Sequence, residues 1–196
     1  MGRTRIREVK DEIRVLGVDD GRFKPRRSRH VDLIGVVFRG GMWLEGVLRS
    51  RIEVDGMDAT DRIIEMVKSS PHYGQLRVIM LSGITFGGFN VVDVRRLYEE
   101  TGLPVIVVSE RMPDMDRIRE ALKNLPEWEE RWRLIRGAGE MFEVEVVEGS
   151  KPIYVQAVGI PKEKAVEVVR KTCVRGRVPE PIRVAHLISS AISEAS

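Results

Sequence analysis

The sequence predicts an α/β fold, a mixed β-sheet flanked by helices, and three features carry that expectation. Two short stretches, 76–81 and Pro104-Val105-Ile106-Val107-Val108, are almost wholly apolar, as strands covered on both faces are. A longer stretch sets Leu44, Gly46, Leu48, Ser50, Ile52 and Val54 against Glu45, Arg49, Arg51 and Glu53. That period of two belongs to a strand with one face in water. Between and beyond these stretches, apolar residues recur at helical spacing.

The elements follow in order. Residues 14–18 form an apolar strand, and 32–38 form a second. Gly40-Gly41 turn the chain into a third strand over 42–54, because glycine supplies the positive φ of a tight hairpin. A helix over 58–69 starts at Asp58, which can cap it, carries Ile63, Ile64 and Val67 as its inner stripe, and stops at Ser70-Pro71. Strand 76–81 follows, then a helix near 90–101 capped by Asn90 and closed by Gly102, then strand 104–108. Three strands, a helix, a strand, a helix and a strand follow the order of a ribonuclease H-like core. Helices at 114–124 and 126–137 come next, the second with Trp128 and Trp132 on one face. Strands at 141–147 and 152–158 lead to a helix at 161–172, with Pro161 at its start and Ala165, Val166 and Val169 inward. A final helix over 181–194 follows Pro179-Glu180-Pro181, proline being well suited to a first helical turn. With no repeat and no linker, the whole chain, 1–196, is expected to be one domain.

Composition narrows the functional classes. At 42% hydrophobic and 32% charged the chain is globular rather than disordered, and its net charge of +3 is too small to hold nucleic acid in bulk. The placement of charge matters more. Residues 22–30 carry Arg22, Lys24, Arg26, Arg27 and Arg29 with no acid, directly after Asp19-Asp20. A basic loop beside an acidic pocket suits an anionic substrate, although a solvated surface loop has the same composition. Cys173 is the lone cysteine, a small core residue rather than part of a disulfide or thiolate site. No apolar leader or membrane-length run is present, which makes a reduced, cytoplasmic protein the expectation. Paired acids and arginines along the helices would suit a thermophile.

Candidate chemistry gathers at strand ends. Asp19 closes the first strand, where ligands of α/β folds collect, and reads as a metal ligand or as the start of a turn before Gly21. Asp20 reads more as that turn residue. Asp55 and Asp58 are candidate ligands too, against the plainer roles of turn residue and helix cap. Carboxylates so placed hold Mg²⁺ against a phosphodiester, since the ion takes hard oxygens. Ser82 ends the fourth strand where a third carboxylate would complete such a site. Gly83, Gly87 and Gly88 let backbone amides approach a ligand, or simply make the turn; Asp93 sits at the next helix start. His30, His72 and His186 are scattered, and His186 reads as a half-buried helix residue rather than a catalytic one. No nucleophile elbow, P-loop or dinucleotide fingerprint is present, which argues against serine hydrolases, nucleotidases and dehydrogenases.

Five segments together resemble a known family: 15–20 (VLGVDD), 53–60 (EVDGMDAT), 83–93 (GITFGGFNVVD), 103–108 (LPVIVV) and 179–188 (PEPIRVAHLI). They resemble the archaeal DUF99 or UPF0215 family, described as endonuclease dU, over nearly the whole chain. That family is similar to endonuclease V, which implies an endonuclease V-like domain, Mg²⁺ dependence (Mn²⁺ as a substitute) and deaminated bases in DNA as targets. The resemblance puts the catalytic strand aspartate on Asp19 and the acid opening the first helix on or near Asp58, with Asp20 or Asp55 as third ligand. The aspartate ending endonuclease V's fourth strand falls on Ser82, and its Gly-His pair falls near Gly159-Ile160, where there is no histidine. The shared Pro179–Ala185 tail is expected to be structural.

The implied activity is metal-dependent nicking of DNA at deoxyuridine, and of other deaminated bases, in DNA repair. Arg22, Lys24, Arg26 and Arg27 would contact phosphates. Gly83, Phe86, Gly87, Gly88 and Phe89 would line the pocket for an everted base. The rival expectations are a catalytically lapsed relative that binds nucleic acid or protein, and a phosphohydrolase acting on a nucleotide.

Overall fold

In a computed structural model, residues 6–24 and 27–194 are described, so Arg26 lies outside the described residues. Seven strands form one sheet: β1 (Arg14–Asp20), β2 (His30–Arg39), β3 (Trp43–Glu53), β4 (Val78–Ser82), β7 (Val105–Ser109), β8 (Phe142–Val144) and β9 (Ile153–Val158). Their spatial order is β3-β2-β1-β4-β7-β9-β8. Only β1–β4 and β4–β7 are parallel, so β1, β4 and β7 end side by side along one edge. The mixed sheet expected from the sequence is the sheet observed, and the alternation in β3 holds over 48–53, with Ile52 buried and Arg49, Arg51 and Glu53 exposed at the sheet's outer strand. At the start of the strand it breaks, Leu44 being exposed and Glu45 half-buried where a register shift against β2 falls.

The period of two sorts the central strands onto two cores. Leu16, Val18, Ile79, Leu81, Val105 and Val107 face one side, under α1 (Ala59–Ser69) and α2 (Val94–Thr101). Val15, Val78, Met80, Ile106 and Val108 face the other, under α5 (Lys162–Thr172), with Ile182 of α6 (Glu180–Glu194) alongside. The helix pair α3 (Met115–Leu122) and α4 (Trp128–Gly137) packs through Leu122 and Ile135 onto Val91, next to the first of these cores. None of the described helices is long and apolar enough to cross a membrane.

Two cap assignments change. Asp58 occupies the position before α1 but makes no capping bond; the Ala59 amide donates instead to Asn90 Oδ1, at 3.0 Å. Asn90 does not cap α2 because it lies in a small hairpin of β5 (Thr85–Phe86) and β6 (Asn90–Val91), joined by Gly87 and Gly88 at positive φ. The cap of α2 is Asp93, whose carboxylate accepts from the Arg95 and Arg96 amides. In both cases a residue with a side-chain oxygen found a long-range donor that spacing alone does not reveal.

α4 holds a side chain that its polar sequence hides. Arg131 is 1% exposed, and its guanidinium donates to the carbonyls of Asp55 (2.8 Å), Gly56 (2.8 Å), Phe89 (2.5 Å) and Pro126 (3.1 Å). Four carbonyls satisfy a buried charge without a carboxylate and bind α4 to both the β3–α1 turn and the hairpin.

Candidate active site

Asp19 and Asp20 are consecutive on β1, so their side chains leave the strand on opposite faces. Asp19 turns toward α6 and meets His186, with Nδ1 2.7 Å from Oδ2. Asp20 turns toward the hairpin and accepts the Gly87 amide at 2.6 Å. The contact with α6 depends on Gly17, two residues back on Asp19's side, where a Cβ would collide with the Pro181 backbone. Without that side chain, the first turn of α6 lies directly on β1. Glu180 then closes the turn: buried, it accepts from Arg183 at 2.9 and 2.6 Å and from the Arg175 amide at 3.2 Å.

The basin so formed, about 640 Å³, is lined by Asp19, Asp20, Arg22, Ser82, Glu110 and His186, with Arg183 and Ile182 at its α6 wall. Burial pushes the Asp19 carboxyl above its ordinary range despite the opposing bonds from His186 and Ser82. Burial also pushes Asp20 up to about 6, against the Gly87 amide and with help from the neighbouring Asp19 charge. Ser82 therefore stands beside Asp19 as a hydrogen-bonding neighbour, and Glu110, just past β7, pairs with Arg177 at 3.0 Å.

The other expected residues divide. Asp55 and Asp58 do not line this basin. Asp55 accepts the Phe89 amide at 2.8 Å, and Asp58 accepts the Glu53 amide at 3.1 Å and the Asn90 side chain at 2.7 Å. Both brace the β3–α1 turn against the hairpin, the plainer role that turn and cap residues commonly take. Among the described residues, no group of three or more His, Cys, Asp or Glu is gathered as a metal cluster, so the expected set of Asp19, Asp20, Asp55 and Asp58 does not form. Phe86 is a core residue, 1% exposed, and cannot meet a substrate. Gly87 and Gly88 serve the hairpin: one amide holds Asp20, and a Cβ on the other would strike Asp55 Oδ1. Arg22, Lys24 and Arg27 are exposed and Arg22 lines the basin, while Gly83 and Phe89 line a different cavity.

His186 is the residue that sequence reasoning missed. The local signal was weak: Arg183 and His186 are neighbours at i,i+3 on α6, but nothing in their spacing points to the distant Asp19.

A family model described as "Endonuclease dU" matches residues 11–193. The chain belongs to the endonuclease dU family. A UPF0215 protein of Methanothermobacter thermautotrophicus is 53% identical over 189 residues, covering 96% of this chain and 91% of the relative. A crystal structure of a protein of unknown function from Archaeoglobus fulgidus superposes with a TM-score of 0.83 at 40% identity, over 92% of this chain and 98% of that one. Ciona intestinalis endonuclease V, solved with a 24mer DNA containing an inosine followed by a ribo-adenosine, superposes with a TM-score of 0.63 at 16% identity. Coverage there is 93% of this chain and 87% of that one, which shows the shared endonuclease V-like fold.

Proposed function

We propose that this endonuclease dU family member is a divalent-metal-dependent DNA endonuclease that nicks at deoxyuridine, with other deaminated bases as further substrates, in DNA repair. The observation that carries the reading is the Asp19–His186 pair at the C-terminal end of β1, in a basin open to a phosphodiester. The donor chemistry fits a hard dication. Asp19 and Asp20 are carboxylates that burial has made costly to ionise, and a bound cation would offset that cost. Asp19 would hold the ion, with His186 beside it and Asp20 and Glu110 within the same basin. Mg²⁺ needs few protein ligands, because water and substrate phosphate fill its remaining positions; Mn²⁺ would substitute. When bound, the metal supplies Lewis acidity and an acidified water.

The chain's own groups do the rest. Asp19 fixes the His186 ring through Nδ1, which leaves Nε2 as the ring atom able to take up or return a proton. Arg183, anchored to Glu180, and Arg22 bring positive charge to the basin wall for the phosphate oxygens. Lys24 and Arg27, exposed and close to Arg22 in sequence, would add phosphate contacts.

The test is nicking of labelled duplexes carrying one deoxyuridine, one hypoxanthine or no lesion, with Mg²⁺ and with chelator, alongside Asp19→Asn. Lesion-dependent nicking lost in chelator and in the variant supports the reading. Binding without cleavage on every substrate would instead favour a lapsed, nucleic-acid-binding relative, the reading that Ser82 in place of a carboxylate supports.

A further inference from the structure

The outer strand of the sheet is open on two sides. β3 pairs with β2 alone, so along its other edge a row of backbone amides and carbonyls faces outward. On the face where α6 lies, the helix covers β1 and β2, with Val184, Ile188 and Ile192 packed on Ile34, Val36 and Phe38. Val47, opposite Val36, and Arg49, opposite Ile34, leave β3 on that same face and stay exposed beyond the helix. Apolar exposure is concentrated here. Among the described residues eight large apolar side chains are exposed, and four of them, Met42, Trp43, Leu44 and Val47, belong to β3 or the turn before it. Trp and Met are side chains that interfaces favour over ordinary surface.

Proline and lysine are common blocks on such an edge, and the eleven residues of β3 include neither. Its register shift against β2 falls at Glu45, and from Gly46 to Glu53 the ladder is regular. An open edge of this kind takes another strand, and the charges on the exposed face decide which. A second copy related by a two-fold axis brings the same face of each strand together, antiparallel. Arg49 and Arg51 share one carboxylate, Asp32, at 3.0 and 3.7 Å, so the two keep a net positive charge. An axis at Arg49 or Arg51 would set that residue against its own copy, and one at Ser50 would set Arg49 against Arg51. Like charges directly opposite repel, which disfavours all three. An axis at Val47 avoids the repulsion but leaves Ile52 and Glu53 unpaired. An axis at Leu48 avoids it too, sets Val47 opposite Arg49 twice, and is the midpoint of Trp43–Glu53, so the strands overlap along their whole length.

We infer that β3 is a dimerisation edge: two copies of this chain pair β3 to β3, antiparallel about Leu48, into one continuous sheet. β1 and β3 are each antiparallel to β2 and so run the same way, which sends the two basins to opposite edges of that sheet. The dimer does not depend on the nuclease reading and is tested without nucleic acid.

The experiment follows the mass of the full chain by sedimentation over a concentration series. The expected result is a rise from 22.3 kDa to twice that mass as concentration increases. Val47 is 49% exposed, so substitutions there leave the fold intact. Val47→Lys should weaken the dimer roughly tenfold, because it sets a second cation opposite Arg49 at two places. Val47→Glu should tighten it by roughly the same factor, because those two places then carry opposite charges. A contact made by apolar side chains alone would be weakened by both, and so would pairing about Val47, which sets each new charge against its own copy. Hydrogen exchange locates the contact. Outward amides between Gly46 and Ser50 should gain protection in the dimer, while those of β8, the sheet's other end strand, should not. A monomer at every concentration, a dimer weakened by both substitutions, or a dimer without protection over 46–50 would overturn the inference.

Discussion

Asp19 and His186 stand 167 positions apart in sequence and 2.7 Å apart in space, so a single substitution at either end breaks the pair. The His186 side chain is 61% exposed, and its loss removes little packing. His186→Ala should therefore hold its stability within about 0.5 kcal/mol while nicking falls by roughly 10²–10⁴, the usual range for a lost proton-transfer group. Thermal melts beside single-turnover rates check both halves; unchanged rates would remove His186 from the chemistry. Asp20 gives a pH signature. Burial raises its pKa from 3.8 to about 6, so between those values the folded chain keeps a proton that the unfolded chain has released. That contribution to stability is present at low pH and is lost as pH rises through about 6. In chelator, Asp20→Asn should stabilise the protein at about pH 7, by an amount on the order of 2–3 kcal/mol, and change little at about pH 3. Denaturant melts at the two pH values decide it. A difference from the parent that is the same at both pH values would mean that Asp20 carries no desolvation penalty.

Two contacts between elements set the site's frame. Gly17 lets α6 lie on β1, and the closeness of Pro181 leaves no room for a methyl. Gly17→Ala should lower the melting temperature and the nicking rate together, because the same displacement moves His186 away from Asp19. A variant that melts lower but nicks normally would separate helix seating from catalysis. Arg131 fixes the opposite face. Arg131→Met leaves four carbonyls without their donor, and the expected loss is about 3–5 kcal/mol, the sum of several buried polar groups left unsatisfied at about 1–3 kcal/mol each. Urea unfolding measures it, and a loss below about 1 kcal/mol would mean that water replaces the guanidinium.

At the scale of the whole molecule, the proposed function makes a prediction about charge. The net charge is +3, yet Arg22 lines the basin and the exposed Lys24 and Arg27 follow it closely in sequence. Replacing the three by alanine should weaken damaged and undamaged DNA about equally. The salt dependence of binding should also flatten, by about 0.9 in slope for each phosphate no longer neutralised. Titrations at several salt concentrations test it. A loss confined to the damaged duplex would place these residues in lesion recognition instead.

Much of the architecture was legible along the chain. Alternation in the second half of β3, the apolar runs of β4 and β7, and prolines at the starts of α5 and α6 are local signals, and a local signal survives in a string of letters. Asp19 was legible for the same reason, as a carboxylate closing an apolar strand. What sequence could not resolve were choices between partners distant in the chain. Asp58 and Asn90 each read as the cap of the helix that follows, yet the oxygen that accepts from the first amide of α1 belongs to Asn90, which the hairpin delivers from 31 residues away. His186 read as an ordinary helix residue because its meaning comes from the one carboxylate that α6 crosses. Local periodicity is written in neighbouring residues, so the sequence by itself determined the strands, the helices and the acidic end of β1. Which side chain completes Asp19 depends on how closely α6 approaches the sheet, and only the tertiary structure decided that.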